Sequence, residues 1–309
     1  MSEPLSSEAI VTLVADPYSR QLSADLVEEV AKGLGDAGFP TASRRALREG
    51  VAEDIMLGVG FDPAAKAAIL AAARSALGAA PIDVVIQPSG GRRKNLLIAD
   101  MDSTIIGQEC LDELAGYAGL KDEIAAVTER AMRGELNFEE ALRARVARLK
   151  GLTADALQRT FDEKVTLTPG AETLVKTMRA NGAMTILASG GFTFFTERVA
   201  VAAGFERNVA NILEISDGVL KGTVREPIFG REGKAETLAA TLAELELAPA
   251  EAIAVGDGAN DLAMIDAAGL GVAFRAKPAV ADAADVGVTH GDLTALLHLQ
   301  GYADEEFVR

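Results

Sequence analysis

The sequence has a single cysteine, a shortage of positive charge and no long uninterrupted apolar run. Cys110 is the only thiol among the 309 residues, so no disulfide or cysteine-based zinc site can form within the chain, and a reducing compartment is expected. The net charge of −16 argues against a nucleic-acid partner, since binding a phosphate backbone requires basic surface. The longest alanine-rich stretch, residues 64–80, is broken by Lys66, Arg74 and Gly78 and does not predict a membrane span. The first residues lack a basic segment followed by an apolar one, so we expect no signal peptide and a cytoplasmic location.

The first 90 residues alternate between strand and helix patterns. The patterns predict strands at 9–14, 42–47, 55–59 and 82–86, and helices at 22–34 and 63–77. The order βαββαβ is typical of a ferredoxin-like α+β domain, here residues 1–90. The order resembles that of the small ACT-type regulatory domains, which bind amino acids. Such domains carry a glycine after the first strand that residues 16–19 lack, so ligand binding, packing and a homodimer through this domain all remain open. Residues 87–94, rich in Pro, Gly and charge, are typical of a linker.

The rest of the chain, residues 91–305, predicts a doubly wound α/β domain with a parallel sheet. Apolar strand patterns alternate with helices and lie at 96–99, 184–188, 209–213, 252–255 and 270–273. Between the first of these strands and Pro169 the helical pattern is too long for a single crossover. We therefore expect an inserted helical cap, residues 108–169, over the crevice at the carboxyl ends of the strands.

Polar motifs follow several of these predicted strands. Asp100 and Asp102 come directly after the first strand, and Asp-x-Asp with Ser and Thr suits a hard cation plus a phosphate. The plainer interpretation of that stretch is a capped turn. Ser189 begins a Ser-Gly-Gly turn that can hold a phosphate, and Lys234, near a helix start, can neutralise a phosphoryl group. Gly256–Asp261 adds two carboxylates and an amide at another strand end.

Taken in order, these motifs resemble the haloacid dehalogenase-like phosphotransferase superfamily. The residues that carry the resemblance are Asp100-Met101-Asp102-Ser103-Thr104, Ser189, Lys234, and Gly256-Asp257-Gly258-Ala259-Asn260-Asp261. The joint match spans roughly residues 94 to 290 and is far more specific than any one motif. It implies a haloacid dehalogenase-like fold and a phosphomonoester hydrolase.

Within that superfamily the chain looks most like the phosphoserine phosphatase family. Glu109 follows the Asp-Met-Asp-Ser-Thr motif, Gly134-Glu135-Leu136-Asn137-Phe138 leads to Arg145, and Ser-Gly-Gly-Phe begins at Ser189. The resemblance implies that Glu109 binds the substrate ammonium and Arg145 its carboxylate, which agrees with the charges of these side chains. It also implies that Met132 and Phe138 line the closed pocket. Without the resemblance, Glu109 and Arg145 would be interpreted as part of a solvated helix face, and Met132 and Phe138 as apolar core of the cap.

The resemblance also implies a mechanism. O-phospho-L-serine would be hydrolysed to L-serine and phosphate, the last step of serine biosynthesis, through an aspartyl-phosphate formed on Asp100. Asp102 would be the general acid and base. Near the phosphoryl group, Ser189 and Lys234 would take part in catalysis and phosphate binding, and Gly190 and Asn260 would bind phosphate or water. Asp100, the Asp102 backbone carbonyl and Asp257 would form a Mg²⁺ site. Asp261 would support Lys234 or metal-bound water.

Three alternatives to this function remain open at the level of sequence. The first is a phosphotransferase that passes the phosphoryl group from phosphoserine to another alcohol. The second is a phosphatase for a different small phosphoester, in which Glu109 and Arg145 would have no role. The third is a non-catalytic amino-acid sensor, against which the full set of catalytic motifs argues.

Overall fold

The computed structural model describes residues 7–132, 135–276, 278–284 and 286–309, and the side chains at positions 129, 131, 132, 278 and 279 lie outside that description. In the described part of the chain, no helix combines the length and the apolar character needed to cross a membrane.

The amino-terminal unit has the βαββαβ order expected from the sequence. Its elements are β1 Glu8–Ala15, α1 Ala24–Asp36, β2 Thr41–Arg48, β3 Ala52–Gly60, α2 Lys66–Leu77 and β4 Ile82–Pro88. The strands form an antiparallel sheet in the order β2-β3-β1-β4. Ser23 caps α1 by accepting the Leu26 N–H at 3.2 Å, which explains why the helix begins after the predicted residue 22. The prediction of a ferredoxin-like unit is confirmed.

The two faces of this sheet are buried against different partners. Ala9, Val11 and Leu13 of β1 pack under α1 and α2, while Val14 belongs to the core of the remainder of the chain. The alternation follows from the two-residue repeat of a strand. Because both faces are covered, the unit is not a loosely tethered domain.

Hydrogen bonds join the amino-terminal unit to the carboxyl-terminal segment. The carboxylate of Asp83, on β4, accepts the backbone N–H groups of Thr289, His290 and Gly291 at 2.8–3.3 Å. Arg92 lies in the segment expected to be a linker, yet its side chain is only 9% exposed, because it bonds Asp54 and the carbonyl groups of residues 298 and 299.

The remainder of the chain is an α/β unit with a parallel sheet. Its elements are β5 Leu96–Ala99, α3 Cys110–Tyr117, α4 Lys121–Met132, α5 Phe138–Arg148, α6 Ala154–Lys164, α7 Ala171–Ala180, β6 Met184–Phe192, α8 Thr193–Ala203, β7 Arg207–Asn211, β8 Leu213–Ser216, β9 Val219–Val224, α9 Arg231–Glu244, β10 Ala252–Gly256, α10 Leu262–Ala267, β11 Leu270–Phe274, α11 Pro278–Ala281, β12 Val286–Val288 and α12 Ala295–Leu299. The six-stranded sheet has the order β12-β11-β10-β5-β6-β7.

Helices cover both faces of this sheet. Leu97 of β5 shares a buried cluster with residues of α7 and α8, whereas Leu96 and Ile98 share another with residues of α9 and α10. Strands buried on both sides read as unbroken apolar runs, which is why they were visible in the sequence. The doubly wound prediction is therefore confirmed.

Two features of the sheet differ from the prediction. The strand expected at 209–213 ends at Asn211, and Leu213 begins the antiparallel hairpin of β8 and β9, which was not predicted. The edge strand β12 was also missed, since three residues with Gly287 at their centre carry little apolar pattern. Helices α3–α6 lie between β5 and α7, where helical insertion was expected, and α5 packs against β9 of the hairpin.

Candidate active site

The candidate site lies where three adjacent strands of the parallel sheet end. Asp100 follows β5, Asp257 follows β10, and Ser189 lies near the carboxyl end of β6, where the pairing with β7 is irregular at Gly190 and Gly191. Since β10, β5 and β6 are neighbours in the sheet, their carboxyl ends bring these side chains to one edge. The chain turns sharply after Asp100, and Ser103 adopts a positive φ of 57° there.

Lys234 lies in the wall of the site, where it pairs with two carboxylates. It lies in the first turn of α9, is fully buried, and donates to Asp100 Oδ1 and, at 2.6 Å, to Asp261 Oδ1. Burial disfavours the charged form of Lys234, but the two carboxylates together outweigh that effect and hold its pKa above the usual range, so the side chain is an ammonium. Burial, Asp261 and Asp102 raise the pKa of Asp100, while Lys234 opposes that rise. Asp261 also accepts the Gly258 N–H at 3.0 Å, which fixes its position.

Asp102 is held away from the Lys234 cluster. Its Oδ1 accepts the Cys110 backbone N–H at 2.8 Å and its Oδ2 accepts the Ser189 hydroxyl at 3.1 Å. Burial raises the pKa of Asp102, although these hydrogen bonds work in the opposite direction. Ser189 Oγ in turn accepts the Gly191 N–H at 2.8 Å. A side chain at residue 191 would place Cβ 3.0 Å from Ser189 Oγ and 3.1 Å from Asp102 Oδ2, a crowding that favours glycine at this position.

A cavity of about 250 Å³ opens between these groups and the helices α3 and α5. Its lining contains the following predicted site residues: Asp100, Asp102, Glu109, Phe138, Arg145, Ser189, Gly190, Asp257 and Asn260. Lys234 and Asp261 lie behind Asp100 in the wall of the site.

Glu109 and Arg145 bring opposite charges to the helical side of the cavity. Glu109 precedes α3 and accepts the Ser103 hydroxyl at 2.7 Å. Partial removal of water, together with Asp102 and Asp257, raises the pKa of Glu109 to about 7. Arg145, on α5, is half-buried; burial lowers the pKa of its guanidinium, and the nearby Asp112 and Glu109 carboxylates oppose that shift. The lining of the cavity thus contains a carboxyl group and a guanidinium on its helical side.

Phe138 lies between the helical side of the cavity and the backbone at Gly190 and Gly230. It is the first residue of α5, where Asn137 and Glu140 form a reciprocal capping box with both bonds at 2.9 Å. A Cβ at Gly190 would come within 3.2 Å of its ring and a Cβ at Gly230 within 3.0 Å. Met132 ends α4, and its side chain lies outside the part of the chain that the structure describes.

The acidic side chains fit a hard divalent cation. Asp100, Asp257 and Asp261 place carboxylate oxygens within 4.8 Å of one another, and an all-oxygen set with excess negative charge is what Mg²⁺ prefers. The Asp102 carboxylate is turned toward Cys110 and Ser189, so this residue can contribute to such a site only through its backbone. Sequence reasoning assigned Asp261 to the support of Lys234, and its carboxylate also belongs to this cluster.

Sequence reasoning missed three contributors to the site. The Cys110 N–H and the Ser103 hydroxyl orient Asp102 and Glu109, and their only sequence signal was adjacency to those two residues. Asn211 donates hydrogen bonds to the backbone carbonyl groups of Gly190 and Phe229. No local pattern marks it, because its partners lie 18 and 21 residues away.

Comparison with known proteins agrees with this geometry. The profile of the haloacid dehalogenase-like hydrolase family matches residues 97–266. A phosphoserine phosphatase of Streptomyces coelicolor is 39% identical over 308 residues, which are 99% of this chain and 70% of that protein. A phosphoserine phosphatase of a Polaromonas species is 44% identical over 209 residues, 66% of this chain and 89% of that protein. The crystal structure of a probable phosphoserine phosphatase from Vibrio cholerae matches with a TM-score of 0.78 at 30% identity, covering 97% of this chain and 88% of that one. The chain therefore belongs to the haloacid dehalogenase-like hydrolases and, within them, to the phosphoserine phosphatase family.

Proposed function

We propose that the chain hydrolyses O-phospho-L-serine to L-serine and inorganic phosphate, the last step of serine biosynthesis. The observation that carries this proposal is one cavity lined by the Asp100 carboxylate and, on its helical side, by Glu109 and Arg145. A phosphorylated amino acid has an ammonium and a carboxylate that match these two charges. The phosphoserine phosphatases similar to this chain support the same substrate.

The proposed reaction has two steps at Asp100. Its carboxylate attacks phosphorus in line with the serine oxygen and forms an aspartyl-phosphate, and water then hydrolyses that intermediate. Lys234 and the Ser189 hydroxyl stabilise charge on the phosphoryl oxygens, and Gly190 and Asn260 help to hold the phosphate. Asp100, the Asp102 backbone carbonyl and Asp257 would hold Mg²⁺, which when bound screens the repulsion between the carboxylate and the phosphate.

Asp102 is the proposed general acid and base. The burial that raises its pKa favours a carboxyl that carries a proton for the leaving serine oxygen. In the second step the same group accepts a proton from the attacking water. Phe138 and Met132 are proposed to close over the substrate, so that water is excluded until serine has left.

The assignment is tested by phosphate release from O-phospho-L-serine with Mg²⁺ and after chelation with EDTA. We expect turnover only with the cation. Arg145→Ala should reduce kcat/KM for phosphoserine by about 100-fold, since a charge-assisted bond to the carboxylate is lost, and change it less than threefold for p-nitrophenyl phosphate.

Arg148→Ala is the matched control, because Arg148 lies on the same helix and forms an exposed ion pair with Glu123 at 3.1 Å. Its kcat/KM should equal that of the wild type. Equal losses on both substrates in Arg145→Ala, or no preference of the wild type for phosphoserine, would contradict the substrate. A rate of phosphate release that stays low until an alcohol is added would instead show a phosphotransferase.

We also propose the organisation of the chain around this activity. Residues 1–90 form the amino-terminal unit and residues 91–305 the catalytic unit, with the cap at 108–169 and a cytoplasmic location. Hydrogen exchange that shows the two units opening independently would support the boundary. Exchange through a single cooperative opening of both units would contradict it. A homodimer through the amino-terminal unit would use the exposed strand β2, and light scattering at the mass of one chain would exclude it.

A further inference from the structure

Asn211, the last residue of β7, uses its whole side-chain amide to bind backbone groups. Its Nδ2 donates to the carbonyl groups of Gly190 and Phe229, both at 2.9 Å, and its Oδ1 accepts the Phe229 N–H at 2.7 Å. The residue is only 2% exposed. A buried amide satisfied by two separate chain segments holds those segments at a fixed spacing.

The first segment is the carboxyl end of β6, which carries Ser189. The pairing of β6 with β7 is regular up to Ser189, which is opposite Ala210, and the next pair is Phe192 with Asn211. Gly190 and Gly191 therefore have no partner residue in the pairing of β6 with β7. At that gap the Asn211 side chain supplies the hydrogen bond that the Gly190 carbonyl would otherwise receive from a strand.

The second segment leads into the helix that carries Lys234. Phe229 is followed by Gly230, whose carbonyl accepts the Lys234 N–H at 3.1 Å in the first turn of α9. The ring of Phe138 packs against both segments, since a Cβ at Gly190 or at Gly230 would come within 3.2 Å of it. The two segments joined by Asn211 are therefore also two sides of the slot that holds Phe138.

We propose that Asn211 is a positioning residue for phosphoryl transfer. It sets the spacing between the Ser189 hydroxyl and the Lys234 ammonium, and it keeps open the slot that receives Phe138. The inference rests on the proposed function, because it concerns the groups assigned to the phosphoryl oxygens. A misplacement on the order of 1 Å at such groups costs about 100-fold in rate.

The test compares Asn211→Asp with Asn208→Asp, the same chemical change on the same strand. Asn208 accepts the Thr196 hydroxyl at 2.8 Å, a bond that a carboxylate keeps. At position 211 the change removes two N–H donors and turns a carboxylate toward two carbonyl groups. We expect kcat to fall about 100-fold in Asn211→Asp, with KM within threefold of the wild type, and to stay within twofold in Asn208→Asp.

Inhibition by orthovanadate separates positioning from loss of folded protein, because an inhibition constant does not depend on the amount of active enzyme. We expect the constant to rise at least tenfold in Asn211→Asp and to stay unchanged in Asn208→Asp. The hydroxyl of Asn211→Ser supplies one hydrogen-bond donor, so its kcat and its inhibition constant should lie between those of Asn211→Asp and the wild type. This variant provides the test if Asn211→Asp does not fold. Values for both position-211 variants equal to those of Asn208→Asp would overturn the inference. Parallel assays on p-nitrophenyl phosphate keep the test valid if phosphoserine is the wrong substrate.

Discussion

Two clusters of buried charge in this chain are built alike but are held in different surroundings. In the first, Lys234 bonds Asp100 and Asp261 at the base of a cavity. In the second, Arg92 bonds Asp54 at 2.6 Å and Thr12 at 3.0 Å between the amino-terminal sheet and the carboxyl-terminal segment. Both cations are at least nine-tenths buried.

The difference is in how completely each cluster is satisfied. All three nitrogens of the Arg92 guanidinium donate, and two of them also reach the backbone carbonyl groups of residues 298 and 299. In the Lys234 cluster, burial and neighbouring carboxylates raise the pKa of Asp100, and Asp100 faces open space. A buried network in which every hydrogen-bonding group has a partner adds stability to the fold. A carboxylate held in an unfavourable environment beside a cavity can instead react with a bound ligand.

The largest expected effect separates these roles at Asp100. Asp100→Asn should lower kcat by at least about 10⁴-fold, because the proposed nucleophile is lost. An acid whose pKa is raised by folding destabilises the fold above its ordinary pKa, so the neutral amide removes that cost while Lys234 keeps Asp261. We therefore expect a Tm equal to or above that of the wild type at pH 7, measured by calorimetry. The control is Asp266→Asn, an exposed change on α10, and a fall in Tm with activity retained would contradict the distinction.

The sequence predicted the first cluster and missed the second. Asp100, Ser189, Lys234 and Asp257 stand at the ends of apolar strands or at a helix start, so local pattern alone brings them to one edge of a parallel sheet. Arg92 and its partners lie up to 207 residues apart in the sequence, and Arg92 stands in a stretch that reads as a linker.

The missed elements have the same physical cause. The apolar run from 209 to 213 reads as one strand, but the side chain of Asn211 bonds two other segments and the strand ends there. The hairpin β8–β9 is stabilised by packing on α5, a tertiary contact that no local pattern reveals. Local sequence patterns therefore predict the edge of the sheet at which the candidate site residues lie. The ends of individual elements depend on side-chain contacts with distant segments, which local patterns do not predict.

The next prediction concerns the pH dependence of Glu109, the proposed partner of the substrate ammonium. In that role Glu109 must be ionised, so kcat/KM for phosphoserine should fall about tenfold per pH unit below the pKa of the carboxyl. The pKa of about 7 sets the upper bound of the midpoint, since a cation beside Asp257 favours the ionised form. Glu109→Gln keeps the titration of the substrate phosphate but should lose this part of the profile. Identical profiles for Glu109→Gln and the wild type would show that Glu109 does not contact the substrate.

The smallest expected effect on activity comes from the second cluster. Asp54→Asn keeps the shape of the side chain but leaves the Arg92 guanidinium buried without a counter-charge, which should reduce the free energy of unfolding by about 3–5 kcal/mol. The kcat of the folded protein should remain within twofold of the wild type, because the contacts of Asp54 lie between the two units and none lies in the cavity. Glu28→Gln is the control in the same unit: Glu28 is 71% exposed in its pair with Arg44, and the change should cost less than about 1 kcal/mol in denaturant unfolding. If Asp54→Asn instead lowered the kcat of fully folded protein, the amino-terminal unit would influence the cavity through Arg92, and the two clusters would be functionally coupled.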